Sequence, residues 1–375
     1  MKQPLVPHLY NFFVSAKQIW LGFKARGANL MPLRIASDEQ RRRRAKFALP
    51  FGRDKIRHFL CYSSSAYRRG YNLLVAPRKC LNFSSLAQRN YINEALVSVI
   101  IPSYNRQNSI AQSIESVLSQ SYKNLEIIVI DNRSIDNTPK ILAEYSKKDS
   151  RIKVVENEQN LSLVKTLNKA INISTGVYLA RLDDDDTWLD TRKVEKQVNF
   201  LEAHQDYVLI GTGVIAVNEH GVEISRTLLP QEHHQIIDVM LFRCLFIHSA
   251  VVFRRNTFQA LGGYNEALQV GGEDYDLWLR MGLVGKMYNV PEYLVQYQES
   301  GKKLSRTNRK KVLLRNILLI KKYGKDYPNF GKAMALSILY YIYFSLPFNQ
   351  VLLPLFSRVK RAIFGSVVKK FTSNI

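Results

Sequence analysis

Cysteine is scarce in this 375-residue chain: the three present, Cys61, Cys80 and Cys244, lie far apart and form no CxxC or Cys/His pair. That spacing offers no zinc site, and an odd, scattered set argues against a disulfide framework. A reducing compartment is the expectation. The pattern of a secretory leader is missing too, because "MKQPLVPHLYNFFVSAK" carries Pro4 and Pro7 and lacks an unbroken apolar core or a small-residue cleavage site. No internal repeat and no long low-complexity tract is present. Acidic residues are nearly absent from both ends. Residues 1–93 hold 18 Lys and Arg against 3 Asp and Glu, and residues 302–375 hold 16 against 1. The middle, 94–301, has 20 basic and 27 acidic residues, so the net charge of +23 resides entirely in the flanks. A mildly acidic core between basic arms suits a ligand-binding or catalytic domain held near something anionic.

The division expected is therefore a basic N-terminal extension (1–93), a central domain (94–301) and a basic helical C-terminal region (302–375). From Leu9 to Phe23 apolar residues recur at three- and four-residue steps beside Lys17, Lys24 and Arg26. An interfacial membrane helix and a helix docked on the protein's own core both fit that pattern. "RRRR" at 41–44 reads first as a solvated face. Residues 333–357 contain no charge, but Pro347, Asn349, Gln350 and Pro354 interrupt them. A helical hairpin or interfacial segment is expected there in preference to a span, with a buried helix pair as the plainer reading.

The central domain alternates between two periods. "LVSVIIPSYN" is a buried strand expected to stop at Pro102, and "SIAQSIESVLSQ" has helical spacing. "LEIIVIDNRSIDNT" closes a second strand on Asp131. "RIKVVENEQN", the helix "LVKTLNKAINIST" and the strand "VYLARLDDDD" follow. Beyond Trp188 come a polar helix, the strand "YVLIGTGVIAV", a turn at "NEHG" and a strand-like run "FIHSAVVFRR". Strands alternating with helices of this length mean crossover units: an α/β, Rossmann-like, mostly parallel sheet flanked by helices. In such sheets ligands bind beyond the carboxyl ends of the strands, where "SYN", "DN" and "DDDD" all fall.

Four consecutive carboxylates, Asp183 to Asp186, repel one another, and locally only Arg181 offsets them. In an extended chain Asp183 and Asp185 would share one face and Asp184 and Asp186 the other. Two same-side carboxylates suit a hard divalent ion, Mn2+ or Mg2+, completed by water and phosphate oxygens. A solvated acidic loop is the plainer alternative. "GGEDYDLWLR" places Glu273 and Asp274 in the first turn of a helix, where the dipole favours the ionised form. Ordinary helix N-terminal acid placement explains them equally well in isolation. Leu277, Trp278 and Met281 read as core-facing, and His248, alone on an apolar run, as structural.

In order and spacing, "VSVIIPSYN", "LEIIVIDNRSIDNT", "YLARLDDDDTW" and "GGYNEAL…GGEDYDLWLRMG" resemble the inverting glycosyltransferases of family 2, over about residues 96–300. The resemblance implies a GT-A fold with basic extensions at both ends, and a nucleotide-diphosphate sugar, expected to be a UDP-sugar, lying across the strand ends. It assigns Ser103 and Tyr104 to the nucleoside, Asp131 and Asn132 to the base, and Asp184 to the donor site. By the same resemblance Asp183 and Asp185 hold the metal, Asp274 is the base and Glu273 positions the acceptor. One departure stands out: Gln298 and Ser300 occupy the region after the last core strand where an Arg or His often holds the diphosphate, with Lys302, Lys303 and Arg306 as possible substitutes.

The expectation is a metal-dependent inverting transferase acting on a glycan or lipid-linked oligosaccharide in cell-surface polysaccharide synthesis. It would sit peripherally at the cytoplasmic face of an anionic membrane. The alternatives are transfer to a polyprenyl phosphate itself, a nucleic-acid-binding protein using the basic arms, and a scaffold without turnover. The acidic cleft speaks against nucleic acid as a partner.

Overall fold

The computed structural model describes residues 95–268, 271–299, 309–346, 353–354 and 356–358. The expectations for residues 9–23 and 41–44, for Ser300, Lys302, Lys303 and Arg306, and for 347–352 lie outside them.

Among the described residues nine strands form one sheet in the order β3-β2-β1-β4-β8-β6-β9-β5, with β7 paired to β6. The first half is all parallel: β1 (Val97–Ser103) pairs with β2 (Leu125–Asp131) and β4 (Tyr178–Arg181), and β2 pairs with β3 (Ile152–Glu156). Every residue of β1, β2 and β4 is buried, as expected of parallel strands covered on both faces. Beyond β4 the sheet becomes mixed. Strand β8 (Val252–Arg254) runs antiparallel to β4 and to β6 (Tyr207–Val217), whereas β9 (Lys286–Gln298) runs parallel to β6. The edge strands β5 (Thr187–Trp188) and β7 (Glu223–Thr227) are antiparallel to β9 and β6.

Strand β1 runs through Pro102 to Ser103 rather than stopping at the proline. Its ladder to β4 ends at Ile100 opposite Arg181. The amide that Pro102 lacks therefore faces a side with no ladder to break. "FIHSAVVFRR" departs further from expectation. His248–Ala250 form a single 3-10 turn, and only Val252–Arg254 are strand.

Helices cover both faces. On one, α1 (Ile110–Leu118), α2 (Thr138–Lys148) and α4 (Lys193–Ala203) bury Ile110, Ile114, Leu142, Val194 and Val198 against the sheet. On the other lie α3 (Leu163–Ile173), α5 (His233–Val239), α6 (Arg255–Ala260) and α7 (Glu273–Gly282). Helix α8 (Arg309–Tyr323) joins that second core through Leu319, Ile320 and Tyr323, and Tyr327 and Ala333 continue it. Helix α9 (Phe330–Ser345) buries only Ala333 and Tyr343. Among the described residues no helix is long and apolar enough to cross a membrane.

Candidate active site

The carboxyl ends of β1, β2 and β4 open side by side, and the loops leaving them are tied to one another. Asp131 ends β2 with its carboxylate buried. Its Oδ1 accepts from the Ser134 hydroxyl at 2.5 Å, and burial pushes its pKa up. The next side chain, Asn132, is almost fully engaged. Its Oδ1 accepts from Asn157 Nδ2 (2.8 Å), the Leu161 amide (2.8 Å) and Thr166 Oγ1 (3.2 Å), while Nδ2 donates to the Leu161 carbonyl at 2.8 Å. This amide pins the 157–166 segment beside the cleft. At the end of β1 the Ser103 carbonyl accepts from the Asn132 amide (2.8 Å), and the Ser103 hydroxyl is buried without a partner. Tyr104 follows, 43% exposed over the opening.

The four aspartates are not extended. Strand β4 ends at Arg181, and the Asp186 amide donates to the Asp183 carbonyl at 3.2 Å, closing a turn. The alternation expected of an extended chain, with Asp183 and Asp185 sharing one face, is therefore replaced by a different pairing. Asp183 and Asp186 share the Ser249 hydroxyl. Asp184 and Asp185 share Arg106, at 3.0 and 3.3 Å. Asp184 also accepts the Tyr104 amide at 3.1 Å, so this carboxylate fastens the "SYN" turn to the acidic turn. Burial pushes its pKa up to about 6 against the pull of Arg106. Asp186 is fully buried, held by the Gln298 amide (2.8 Å) as well as Ser249, and its pKa is raised by burial and then by Asp183 and Asp185. Arg181, itself buried, meets Asp183 at 2.5 Å.

Opposite this turn stands the start of α7. Gly271 and Gly272 both have positive φ (69° and 83°), which lets the chain reverse into the helix without the cost that a Cβ would bring. Glu273 is 5% exposed, its Oε2 has no hydrogen-bond partner, and burial followed by the neighbouring Asp274 pushes it up to about 7. Asp274 is raised mainly by burial, opposed by the Tyr275 amide and by Arg315. The Asp183 carboxylate lies close enough to push up both of them. The acidic turn and the acidic helix start thus face one cleft. Ser103 Oγ, Arg181 Nε and Glu273 Oε2, each buried and unsatisfied, all belong to its residues. The other buried side-chain atoms without a partner among the described residues are on Asn199, Trp278 and Asn289; an orphaned buried polar atom beside a cleft is a place a polar ligand could satisfy.

Among the described residues no group of three His, Cys, Asp or Glu side chains is arranged to hold a metal ion alone. The donors present are nevertheless of the right kind. Asp183 and Asp185 offer hard carboxylate oxygens with side chains 34% and 19% exposed. Oxygens of this kind suit Mn2+ or Mg2+ completed by diphosphate oxygens. Here Asp183 is engaged by Arg181 and Asp185 by Arg106, so the two would have to exchange those partners for the ion. His248 is no such donor. It is buried, bonded to the Tyr264 hydroxyl at 2.8 Å, and burial lowers its pKa to about 3.

Sequence reasoning missed Arg106 and Ser249, which neutralise and order the aspartates. Arg106 directly follows "SYN" at a strand end, a signal that was present. Ser249 sits 63 residues from Asp186 in a run that reads as strand, and gave none.

A family model described as Glycosyl transferase family 2 matches residues 98–261. The chain is 40% identical over 206 residues to the protein EpsE of Bacillus subtilis (strain 168), covering 54% of this chain and 73% of EpsE. It is 33% identical over 190 residues to the UDP-Glc:alpha-D-GlcNAc-diphosphoundecaprenol beta-1,3-glucosyltransferase WfgD of Escherichia coli, covering 50% of this chain and 70% of WfgD. Among solved structures the mannosyltransferase PcManGT of Pyrobaculum calidifontis, in complex with GDP-Man and Mn2+, matches with TM-score 0.51 and 18% identity over 73% of this chain and 75% of that one, a likeness of fold alone. With this α/β architecture and these relatives, the chain belongs to the family 2 glycosyltransferases and has the GT-A fold.

Proposed function

We propose that this glycosyltransferase moves a sugar, with inversion, from a UDP-sugar to a hydroxyl of a lipid-linked glycan during cell-surface polysaccharide synthesis. The observation that carries this reading is the meeting of the Asp183–Asp186 turn and the Glu273–Asp274 helix start across one cleft, close enough for Asp183 to shift both acids. A donor's diphosphate needs the first, and inverting attack needs a base on the far side, which the second supplies. WfgD, by its name, takes UDP-Glc and a diphosphoundecaprenol-linked acceptor, which supports the same classes here.

In this reading Ser103 and Tyr104 receive the nucleoside, and Asp131 and Asn132 border the base. Asn132 acts there chiefly by shaping the wall. Asp184, fixed by Arg106 and the Tyr104 amide, keeps the nucleoside turn and the acidic turn in register. Asp183 and Asp185 would hold Mn2+ or Mg2+, which when bound neutralises the charge that develops on the departing nucleoside diphosphate. Asp274 accepts the proton of the attacking hydroxyl. Burial raises its pKa, which makes it a stronger base than an exposed carboxylate, while the N-terminus of α7 and Arg315 keep it ionisable. Glu273, buried beside it with one oxygen unpaired, is placed to accept a hydrogen bond from the acceptor. The basic flanks favour a peripheral position at the cytoplasmic face of an anionic membrane.

The test follows nucleoside diphosphate release from a panel of nucleotide sugars with Mn2+ or Mg2+. Metal-dependent turnover of a UDP-sugar is expected, lost in Asp185→Ala. Asp274→Ala should lose roughly 10²–10⁴-fold in transfer to acceptor. Turnover without metal, or undiminished in both variants, would refute the assignment.

A further inference from the structure

Apart from the acidic cleft, the sheet carries a shallow cavity of about 730 Å³ where β9 meets β5. Leu189, Ile215 and Leu294 supply apolar lining, and Arg226, Glu292 and Tyr293 add polar groups, with Asp190 and Thr191 alongside. The volume lies within the roughly 300–1,000 Å³ usual for small-molecule sites. Its charged side chains are already fixed. Lys196 of α4 bridges Asp190 Oδ2 (2.8 Å) and Glu292 Oε2 (2.6 Å). Arg226 donates to Glu223 through Nε (2.7 Å) and Nη2 (3.0 Å), and its Cζ stands 5.7 Å from the centre of the Tyr293 ring.

Charges paired with one another suit neither a free anion nor a cation, but they keep hydrogen-bonding capacity. A carboxylate has about four acceptor positions, of which these ion pairs use only part. The Glu292 and Arg226 side chains are 48% and 53% exposed, so a ligand can reach them. An aromatic ring beside fixed, mutually neutralised donors and acceptors matches the chemistry of a sugar: C–H groups pack on the ring while hydroxyls take the hydrogen bonds. The cavity's place in the sheet ties it to the reaction. Strands β1 and β2 lie toward one end, β4 with the acidic turn follows, and β9 and β5 close the other end. Ile215 pairs with Gln296, and Gln296 with Thr187, the residue directly after Asp186. Neighbouring strands stand about 4.8 Å apart, so Ile215 lies roughly 10 Å from Thr187. Strand β9 carries both Tyr293 and Gln298, whose amide holds Asp186 at 2.8 Å.

We infer that this cavity is a glycan subsite: it holds a sugar of the acceptor chain remote from the reacting hydroxyl, stacked on Tyr293 and hydrogen-bonded to Glu292 and Arg226. This rests on the glycosyltransferase reading above. An acceptor that crosses the strand ends away from the nucleoside strands arrives at this flank, and an open groove lets a chain enter and leave.

The experiment separates the glycan from the donor. Full-length protein saturated with UDP and Mg2+ is applied to an array of neutral bacterial surface oligosaccharides graded in length, and those retained are titrated calorimetrically. Binding that strengthens from monosaccharide to longer chains is expected. Tyr293→Ala should weaken it roughly tenfold, and Tyr293→Phe, which keeps the ring, should preserve most of it. Glu292→Ala, at an exposed side chain, should weaken it too and decides the matter where Tyr293→Ala fails to fold. UDP affinity should be the same in all three variants. UDP binding with no oligosaccharide retained, or oligosaccharides bound by both alanine variants as by wild type, would overturn the subsite alone. Failure to bind UDP at all would overturn the glycosyltransferase reading and the subsite with it.

Discussion

Asn132 sits where the family pattern places a residue for the base, yet its amide bonds to Asn157, Leu161 and Thr166. Replacing it with alanine leaves several buried groups without partners. Asn132→Ala should cost about 1–3 kcal/mol in chemical denaturation. Glu273 gives a pH-dependent expectation. Its folded pKa is raised from the ordinary 4.5 to about 7. The protonated form therefore favours the folded state below 4.5, and that benefit fades as pH rises to 7. Glu273→Gln cannot ionise, so its melting temperature should match wild type near pH 4.5 and exceed it at pH 8. A constant difference across that range would contradict the burial argument. Individual side chains were only half legible in sequence. The acidic cluster announced itself, but its closure into a turn depends on Arg106 and Ser249, partners brought in from 78 and 63 residues away. No local pattern encodes such contacts.

Helices and buried strands were the most legible elements. Strand β2 closes on Asp131, and β6 spans the run read as strand, because a stretch buried on both faces must be apolar throughout. The edge strands escaped for the opposite reason. Strand β7 is largely exposed and polar, and β5 is two residues long, so neither has a period to read. The junction of α7 and α8 was also hidden. Asp276, fully buried in α7, accepts from Arg280 at 2.7 Å within its own helix and from the Tyr323 hydroxyl of α8 at 2.7 Å. The Tyr327 hydroxyl donates to the Leu279 carbonyl at 2.6 Å. Breaking one side of a buried charge pair is expensive, so Asp276→Ala should lose about 3–5 kcal/mol. Tyr323→Phe, which removes one hydrogen bond, should lose only about 1 kcal/mol. Urea denaturation of both variants checks the ratio.

For the molecule as a whole, charge distribution was readable from composition, whereas the attachment of the C-terminal region was not. Helix α8 presents Leu314 and Leu318, 46% and 57% exposed, on the surface that carries Lys310, Lys311, Lys321 and Lys322. Apolar side chains ringed by cations suit a headgroup layer, with about 1 kcal/mol gained per basic residue near an anionic surface. The full-length protein should co-sediment with phosphatidylglycerol vesicles at low salt, release at high salt, and ignore neutral vesicles. Reversing the charge of Lys310, Lys311, Lys321 and Lys322 together should weaken the low-salt binding, the basic residues of 1–93 supplying the remainder.

The sheet-and-helix domain recognised from sequence ends near residue 301, but its second core does not. Leu319, Ile320, Tyr323 and Tyr327 fill the same apolar interior as Trp278 and Leu279. Anyone exchanging acceptor specificity between related enzymes by splicing their chains would be cutting through that interior if the seam were placed at the end of β9. A workable graft carries α8 along with α7, so inheritance of the base and of the helix that braces it is a single event.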